Sequence, residues 1–446
     1  MKKKLMILGA GPFQVPAIRK AQELGHKVLV CSYYKDDPGM TLADKAFHIS
    51  TLDIKEVLAV CKNQKIDGIM TLASEASAPT VAYVAEELGL PGYPYETACT
   101  ILNKYALREA MRKNNICCPT FGRAKTVNEA VAIFDSIDGP AIMKPLDASG
   151  SRGVCRIESK RDLIKHFKRT QELSFRAKAV LIEDFIQGTE VGGDCLIFNG
   201  KITFMQITNK FKNQFYVPVA HSVPSHFPLE IQVKIREELQ KAVDSLQLQA
   251  GALNFDVFLV NNQDPMILEL GGRLGGNCIP EIIHLSTGID TIENAIQIAL
   301  DEPPELLKES QHGKNWQFPF DTKTNRPTPL SDATNTNHSS APTKAKHHTP
   351  AFNGSDNFDK NYYCVKLLGA DRDGILRGHN DLENIQANYP NIIDITLDYK
   401  IGRQIRKFDQ GGHRLGHVIF FDESYEESIK FCAKLDGILG LNIEDL

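Results

Sequence analysis

Apolar and polar positions along this chain follow two periods, and the places where one gives way to the other divide it. In the first ninety or so residues, short apolar runs alternate with stretches of helical periodicity. KLMIL predicts a strand, 14–24 a helix, KVLVC a strand, 54–61 a helix, GIMTL a strand and 75–88 a helix. Strands alternating with helices across short turns predict a parallel sheet covered on both faces. GLPGYP (89–94) breaks the pattern with turn residues. A helix with basic residues is expected over 97–113, then a strand-rich region to about residue 191, then alternating strands to residue 269 interrupted by one helix, 228–246. From 321 to 360 the chain is rich in Ser, Thr, Asn and Pro with few large apolar residues, which predicts a linker or inserted loop. YYCVKLLG and HVIFF resume the strand pattern, and SYEE (424–427) has the spacing of a capping box opening a final helix.

At 446 residues the chain exceeds one ordinary core, so two to four domains are expected. A net charge of −4 gives no electrostatic footprint for nucleic acid or an anionic membrane. The basic start of MKKKLMILGAG leads into an apolar stretch broken at Gly9, which reads as a first strand and not as a signal peptide, and no run is long enough to span a bilayer. The 10 cysteines are scattered without a CxxC pair, as expected of free thiols in a reducing cytoplasm.

Three stretches carry candidate chemistry. LGAGPFQ follows the first strand, but Gln14 stands where a dinucleotide fingerprint has its third glycine, and no acid ends the second strand to hold a ribose. That disfavours a dinucleotide-dependent oxidoreductase. AIMKPLDASGSRGV (141–154) places Lys144 at a strand end before a small-residue loop. A Walker A lysine follows its glycines, so this is a different phosphate grip, with the lysine on a strand and a flexible loop to fold over an anion. The third stretch, NFDVFLVNNQDPMILELGGRLGG (254–276), alternates as a hairpin around a four-residue loop, NNQD. With Val260 and Pro265 flanking that loop, Asp256 falls opposite Glu269 on one face, with Cβ atoms about 5 Å apart. Two like charges so placed call for a cation, and hard carboxylate oxygens suit Mg²⁺ (or Mn²⁺), the usual companion of nucleotide phosphates.

Together these motifs resemble the ATP-grasp superfamily, in particular its carboxylate–amine ligases of amino-acid or peptide type, related to the biotin carboxylase and carbamoyl phosphate synthase branch. The resemblance covers roughly residues 1–310 and rests on four motifs in order: LNKYALREAM, IMKPLDASGSRGV, VLIEDFIQGTE and FDVFLV…ILELGGR. It implies an α/β protein, α+β in its central part. Its parts would be an N-terminal parallel-sheet domain (1–95), a two-subdomain ATP-grasp domain (96–310, with a lid at 116–190) and a small C-terminal α+β domain (361–446).

The resemblance also implies roles. Lys104 and Lys144 would reach the ATP phosphates, with Ser149, Gly150, Ser151 and Gly153 in the lid loop. Glu183, Asp184 and Ile186 would line the adenine, and Glu190 would take the ribose. Asp256 and Glu269 would hold the metal, and Arg273 would face the transferred phosphoryl group together with Lys144. Where many members carry a further metal-ligand Asn, this chain has Gly271; water, substrate or Asn277 would then replace it. The implied reaction activates a carboxylate as an acyl phosphate and joins it to an amine, releasing ADP and phosphate. The partners would be small-molecule carboxylates and amines, without nucleic acid or membrane, and a homodimer is compatible with the family. The alternatives are a biotin carboxylase-like enzyme and a non-catalytic nucleotide-binding domain. Substrate groups are expected around Phe13 and Gln14, at Glu75, in 210–224 and after Arg273, with His221 a candidate base.

Overall fold

The computed structural model describes residues 2–148, 150–306 and 361–445. The linker expected at 321–360 lies outside the described residues, as does Ser149. Strands β1 (Lys4–Leu8), β2 (Lys27–Ser32), β3 (Lys45–His48) and β4 (Gly68–Met70) form a parallel sheet in the order β3-β2-β1-β4. The alternation of the first ninety residues gives this sheet its connections, but β3 escaped it. Its four residues are half-buried or exposed and form no apolar run.

The helix expected over 97–113 is two helices, Tyr95–Leu102 and Lys104–Lys113. Asn103 leaves the helical conformation, and its side chain accepts from the N–H groups of Tyr105 and Ala106, both at 3.1 Å. That is an N-cap, and it sets Lys104 at the first position of the second helix.

The next region is less purely β than its sequence pattern suggests. Strands β5 (Phe121–Ala124), β6 (Ala141–Pro145), β7 (Cys155–Ile157) and β8 (Val180–Asp184) make an antiparallel sheet, order β5-β8-β6-β7, but helices Val127–Asp135 and Lys160–Glu172 cover it. Their starts are marked locally. Thr126 and Glu129 form a reciprocal capping box, and Ser159 accepts from the N–H of Asp162.

The remaining strands build one eight-stranded antiparallel sheet from β9 (Gly188–Phe198), β10 (Lys201–Lys212), β11 (Pro218–Val223), β12 (Gly251–Val260), β13 (Asp264–Gly271) and three later ones, in the order β13-β12-β9-β10-β11-β14-β18-β16. Strand β14 (Tyr362–Leu368) pairs directly with β11, so the C-terminal strands continue the central sheet. β15 (Gly374–Gly378), β17 (Gln404–Ile405) and β19 (Asn442–Glu444) form a small sheet apart, while β16 (Ile392–Leu397) and β18 (Gly416–Asp422) complete the large one. Helix Leu229–Ser245 buries Ile235, Leu239 and Val243 in the same core as Leu253, Phe255 and Val257 of β12.

The β12–β13 hairpin reaches the expected pairing by a different route. Val260 pairs with Asp264, one residue earlier than expected, so the loop has three residues, with Asn261 and Asn262 both at positive φ. A bulge between the pairs 257–267 and 256–269 then restores the register that sets Asp256 opposite Glu269. It leaves Leu268 without a partner and turns it, with Glu269, to the solvent-accessible face, while Ile267 and Leu270 are buried.

Gly193 is where β9 is pressed most tightly between its neighbours. A Cβ there would lie 2.1 Å from the Gln206 carbonyl oxygen and 2.6 Å from Phe255 Cζ. Gly193→Ala should lower stability by about 1–3 kcal/mol, seen as a lower urea midpoint at unchanged slope. An unchanged midpoint would show that the sheet yields there at no cost.

Candidate functional site

A cavity of about 540 Å³ opens between the β5–β8 sheet and the central sheet. Its polar lining is contributed element by element through simple periodicity. In β6 the pattern buries Ala141, Met143 and Pro145 and turns Ile142 and Lys144 to the cavity. In β12 it buries Phe255 and Val257 and turns Asp256 and Phe258 outward. The lining also includes Lys104, Gly150, Ser151, Glu183, Asp184, Ile186, Glu190, Lys210, Lys212 and Glu269.

The expected residues thus largely meet in one place, though several are engaged differently. Lys104 Nζ lies 2.8 Å from Glu269 Oε1 and donates to the Ala148 carbonyl oxygen at 2.8 Å. Burial works against its charge, but Glu269 and Glu75 outweigh it and hold the ammonium above its ordinary pKa. Lys144 donates to Glu183, whose other oxygen accepts from the fully buried Arg108 at 3.1 Å. Burial, with Arg108 and Lys104 nearby, pushes the Lys144 ammonium down, while the same Arg108 and Lys144 overcome burial and hold Glu183 below the usual carboxylate range. The Glu183 carboxylate is thus engaged by Lys144 and Arg108 at the cavity wall. Asp184 accepts from the Thr120 N–H at 3.0 Å, which pins the end of β8 beside Ile186.

Glu190 is not free for a ribose in this structure. Lys210 and Lys212 each take one of its oxygens, and against the opposing effect of burial they hold its carboxyl at about 2. Lys210 also sits 2.7 Å from Asp256 Oδ1. Burial, with Glu190 and Glu269 close by, lifts Asp256 to about 6 despite Lys210. The cation that the opposed Asp256 and Glu269 call for is here a lysine on each side, Lys210 and Lys104.

The lid loop is held from two sides. Ser151 Oγ donates to the Tyr216 carbonyl oxygen at 2.9 Å, and the Gly150 carbonyl oxygen accepts from the Gly411 N–H at 3.1 Å. Gly153 does not line the cavity. It adopts φ +72° where a Cβ would meet Leu173 at 2.7 Å, so it serves the packing of the loop.

Arg273 lies apart from the cavity lining. Its guanidinium pairs with Glu75 and donates to the Leu274 carbonyl oxygen at 3.1 Å, and its Nε is buried without a partner. Gly271 permits this pose, since a Cβ at 271 would come within 3.3 Å of Arg273 Cζ. His221 is also outside the cavity, with Nδ1 3.1 Å from Thr208 Oγ1; burial and then Lys210 lower it to about 3, so it is neutral near pH 7. The first glycine loop is filled by its own glutamine. Gln14 Oε1 accepts from Gly11 N–H at 3.0 Å, its Nε2 donates to Leu72, and a Cβ on Gly9 would strike it at 3.0 Å. The space a dinucleotide phosphate would need is occupied.

Sequence reasoning gave Arg108 no role of its own and named Lys210 and Lys212 only as part of the substrate segment 210–224. Arg108 follows Lys104 by four residues on one helix, and Lys210 and Lys212 share one face of β10; both spacings were readable as co-facing cations.

Asp194 is the other buried acid here. Its Oδ1 accepts from Asn254 Nδ2 at 2.9 Å and Gly275 N–H at 2.8 Å, while Oδ2 has no partner. Burial raises its pKa to about 6 against those two donors and Arg273. A carboxyl raised on folding binds more protons in the native state between the two pKa values. Stability therefore falls as pH rises from about 4 to 6, by an amount near 3 kcal/mol for a shift of about two units. Asp194→Asn keeps the Oδ1 acceptor and should remove that slope, gaining on the wild type across pH 4–6 and then levelling off. Parallel stability curves for the two proteins would refute the assignment.

Three segments match known families: residues 18–92 the ATP-grasp N-terminal domain, 137–281 the ATP-grasp domain, and 366–438 the L-amino acid ligase C-terminal domain 2. Among curated relatives, the chain is 26% identical over 273 residues to a formate-dependent phosphoribosylglycinamide formyltransferase of Hydrogenovibrio crunogenus, covering 58% of this chain and 66% of that one. It is 26% identical over 254 residues to the alanine–anticapsin ligase of Bacillus subtilis, covering 51% and 53%. The chain thus spans about half to two thirds of these relatives' length. The L-amino acid ligase of Bacillus licheniformis superposes over 100% of this chain and 99% of its own, with a TM-score of 0.75 and 20% identity, a likeness of fold. Residues 137–281 thus match an ATP-grasp domain, preceded by a match to the ATP-grasp N-terminal domain, on a fold like that of the ligase.

Proposed function

We propose that this protein is an ATP-dependent ligase that activates a substrate carboxylate as an acyl phosphate and joins it to an amine, releasing ADP and phosphate. The observation that carries the reading is the convergence of Lys104, Lys144 and the opposed pair Asp256 and Glu269 in one cavity. Carboxylate oxygen is a poor leaving group, so amide formation needs it converted to phosphate, and the nucleotide supplies the phosphoryl group.

In this reading Lys104 and Lys144 bind and orient the phosphates, and the loop around Gly150 and Ser151 shields them from water. The hinge at Asp184 and Ile186 borders the adenine. Glu190 reaches the ribose once Lys210 or Lys212 turns to phosphate. Among the described residues no group of three or more His, Cys, Asp or Glu side chains is placed to hold a metal by itself. Two hard carboxylates on one face nevertheless suit Mg²⁺, which is commonly held by one or two carboxylates plus substrate phosphates. When bound, it would neutralise charge developing on the transferred group. The acceptor carboxylate belongs on the side of Arg273, whose Nε is buried without a partner. The same resemblance makes 116–190 the moving lid, and the cargo small molecules.

A panel of amino acids assayed for ADP and phosphate release should reveal amine-dependent turnover. Lys144→Met should reduce it by roughly 100-fold or more while the protein stays folded. Turnover that requires bicarbonate and biotin and ignores amines would move the protein to the carboxylase class, and absence of nucleotide binding would end the ligase reading.

A further inference from the structure

Lys210 occupies an unusual position, because it is shared between two carboxylates of different proposed roles. Its Nζ lies 2.7 Å from Glu190 Oε1 and 2.7 Å from Asp256 Oδ1, and its side chain is 6% exposed. Glu190 has a second cation in Lys212. Among the described residues, Lys210 is the one cation paired with Asp256. Glu269, across the hairpin, has Lys104 instead.

The backbone makes room for this arrangement. Gly192 faces Asp256 across β9 and β12, and a Cβ there would lie 2.9 Å from Asp256 Oδ1 and 3.6 Å from Thr208 Oγ1. With no side chain at 192, the carboxylate can lean across β9 to the ammonium on β10. A divalent cation held by both Asp256 and Glu269 would meet Lys210 at the same oxygen. An ammonium and a divalent ion repel each other at that distance, so one must yield. Lys210 can yield without being stranded, because Glu190 remains its partner.

We propose that Lys210 is a positioning residue that holds Asp256 in the place of the metal, so that ammonium and divalent cation compete for one carboxylate and the cation enters with its nucleotide. This rests on the assignment of Asp256 and Glu269 as the metal carboxylates. The nucleotide tips the exchange, since its phosphates supply the ion's remaining ligands and a new acceptor for the released lysine. Lys104 and Glu269 are poised for the same exchange on the opposite strand.

The test is Mn²⁺ binding followed by electron paramagnetic resonance of the free ion, with and without ADP, on the full chain. Without ADP, Lys210→Met should bind Mn²⁺ at least about tenfold more tightly than the wild type, because the competitor is gone. Its melting temperature should rise with Mn²⁺ more than that of the wild type. An affinity equal to or below the wild-type value overturns the proposal. Lys210→Arg tests it independently if the methionine variant does not fold. A guanidinium can grip both carboxylates at once, so Mn²⁺ affinity in the presence of ADP should fall several-fold, and an unchanged affinity again overturns the proposal. Asp256→Asn separates the two layers of the argument. If Mn²⁺ binding survives it undiminished, the metal assignment itself fails and the role of Lys210 with it. If binding is lost there but Lys210→Met is unchanged, only the role of Lys210 fails.

Discussion

Burying charge is expensive unless each charge is paired, and this cavity concentrates many charges out of water. Glu183, Glu190, Asp256 and Glu269 are each within salt-bridge distance of at least one of Lys104, Arg108, Lys144, Lys210 and Lys212. The pairing requirement explains features far from any chemistry. Arg108, fully buried, is there because Glu183 could not otherwise sit beneath Lys144. Gly192 lacks a side chain because Asp256 has to reach β10. The bulge at Leu268 exists because Glu269 must meet Lys104 and also stand opposite Asp256. Each is a backbone or core adjustment made in favour of an ion pair.

The same network ties the parts of the chain together. Helix Lys104–Lys113 reaches β8 and β13 through its two cations, and Lys104 also holds the lid loop at Ala148. From the other direction, the segment before β18 touches the lid loop at Gly150 and receives Asn213 Nδ2 at Phe408 O, 2.9 Å away. Because β14 and β18 lie in the central sheet, that segment is mounted on the same sheet whose β10 and β12 carry Lys210 and Asp256. The loop that carries Ala148 and Gly150 is thus held through both a lysine and a neighbouring backbone.

How much of this could be read beforehand depended on the range of the interaction concerned. Strand–helix alternation is local, so the parallel sheet was legible from its apolar runs, except β3, which has none. The opposition of Asp256 and Glu269 was legible because a hairpin converts sequence separation into a pairing. Even so, the turn was one residue shorter than expected and a bulge compensated, since asparagines at positive φ favour the tighter loop. Lys144 stood out because a lysine before small residues is conspicuous. The ion pairs of Arg108, Lys210 and Lys212 were not legible, since nothing near them in sequence reveals that their partners Glu183, Glu190 and Asp256 arrive from other strands. The pose of Arg273 depended on Glu75 from the parallel-sheet domain, almost two hundred residues away along the chain. Local pattern reports faces and turns, whereas ion pairing is settled only by the assembled fold.

Buried ion networks are weak instruments of stability, because well-packed apolar residues of similar volume often do as well or better. Their retention here points to what they accomplish when a ligand comes. In this structure every lysine of the cavity has a carboxylate or carbonyl partner. A nucleotide with its metal brings both signs of charge at once. On the proposed reading, phosphate oxygens would replace the carboxylates as partners of the lysines, and the metal would replace the lysines as the partner of Asp256 and Glu269. The pairs change but their balance is kept, so binding needs no isolated buried charge at any stage. On that reading the site would admit the metal and the phosphates together more readily than either alone.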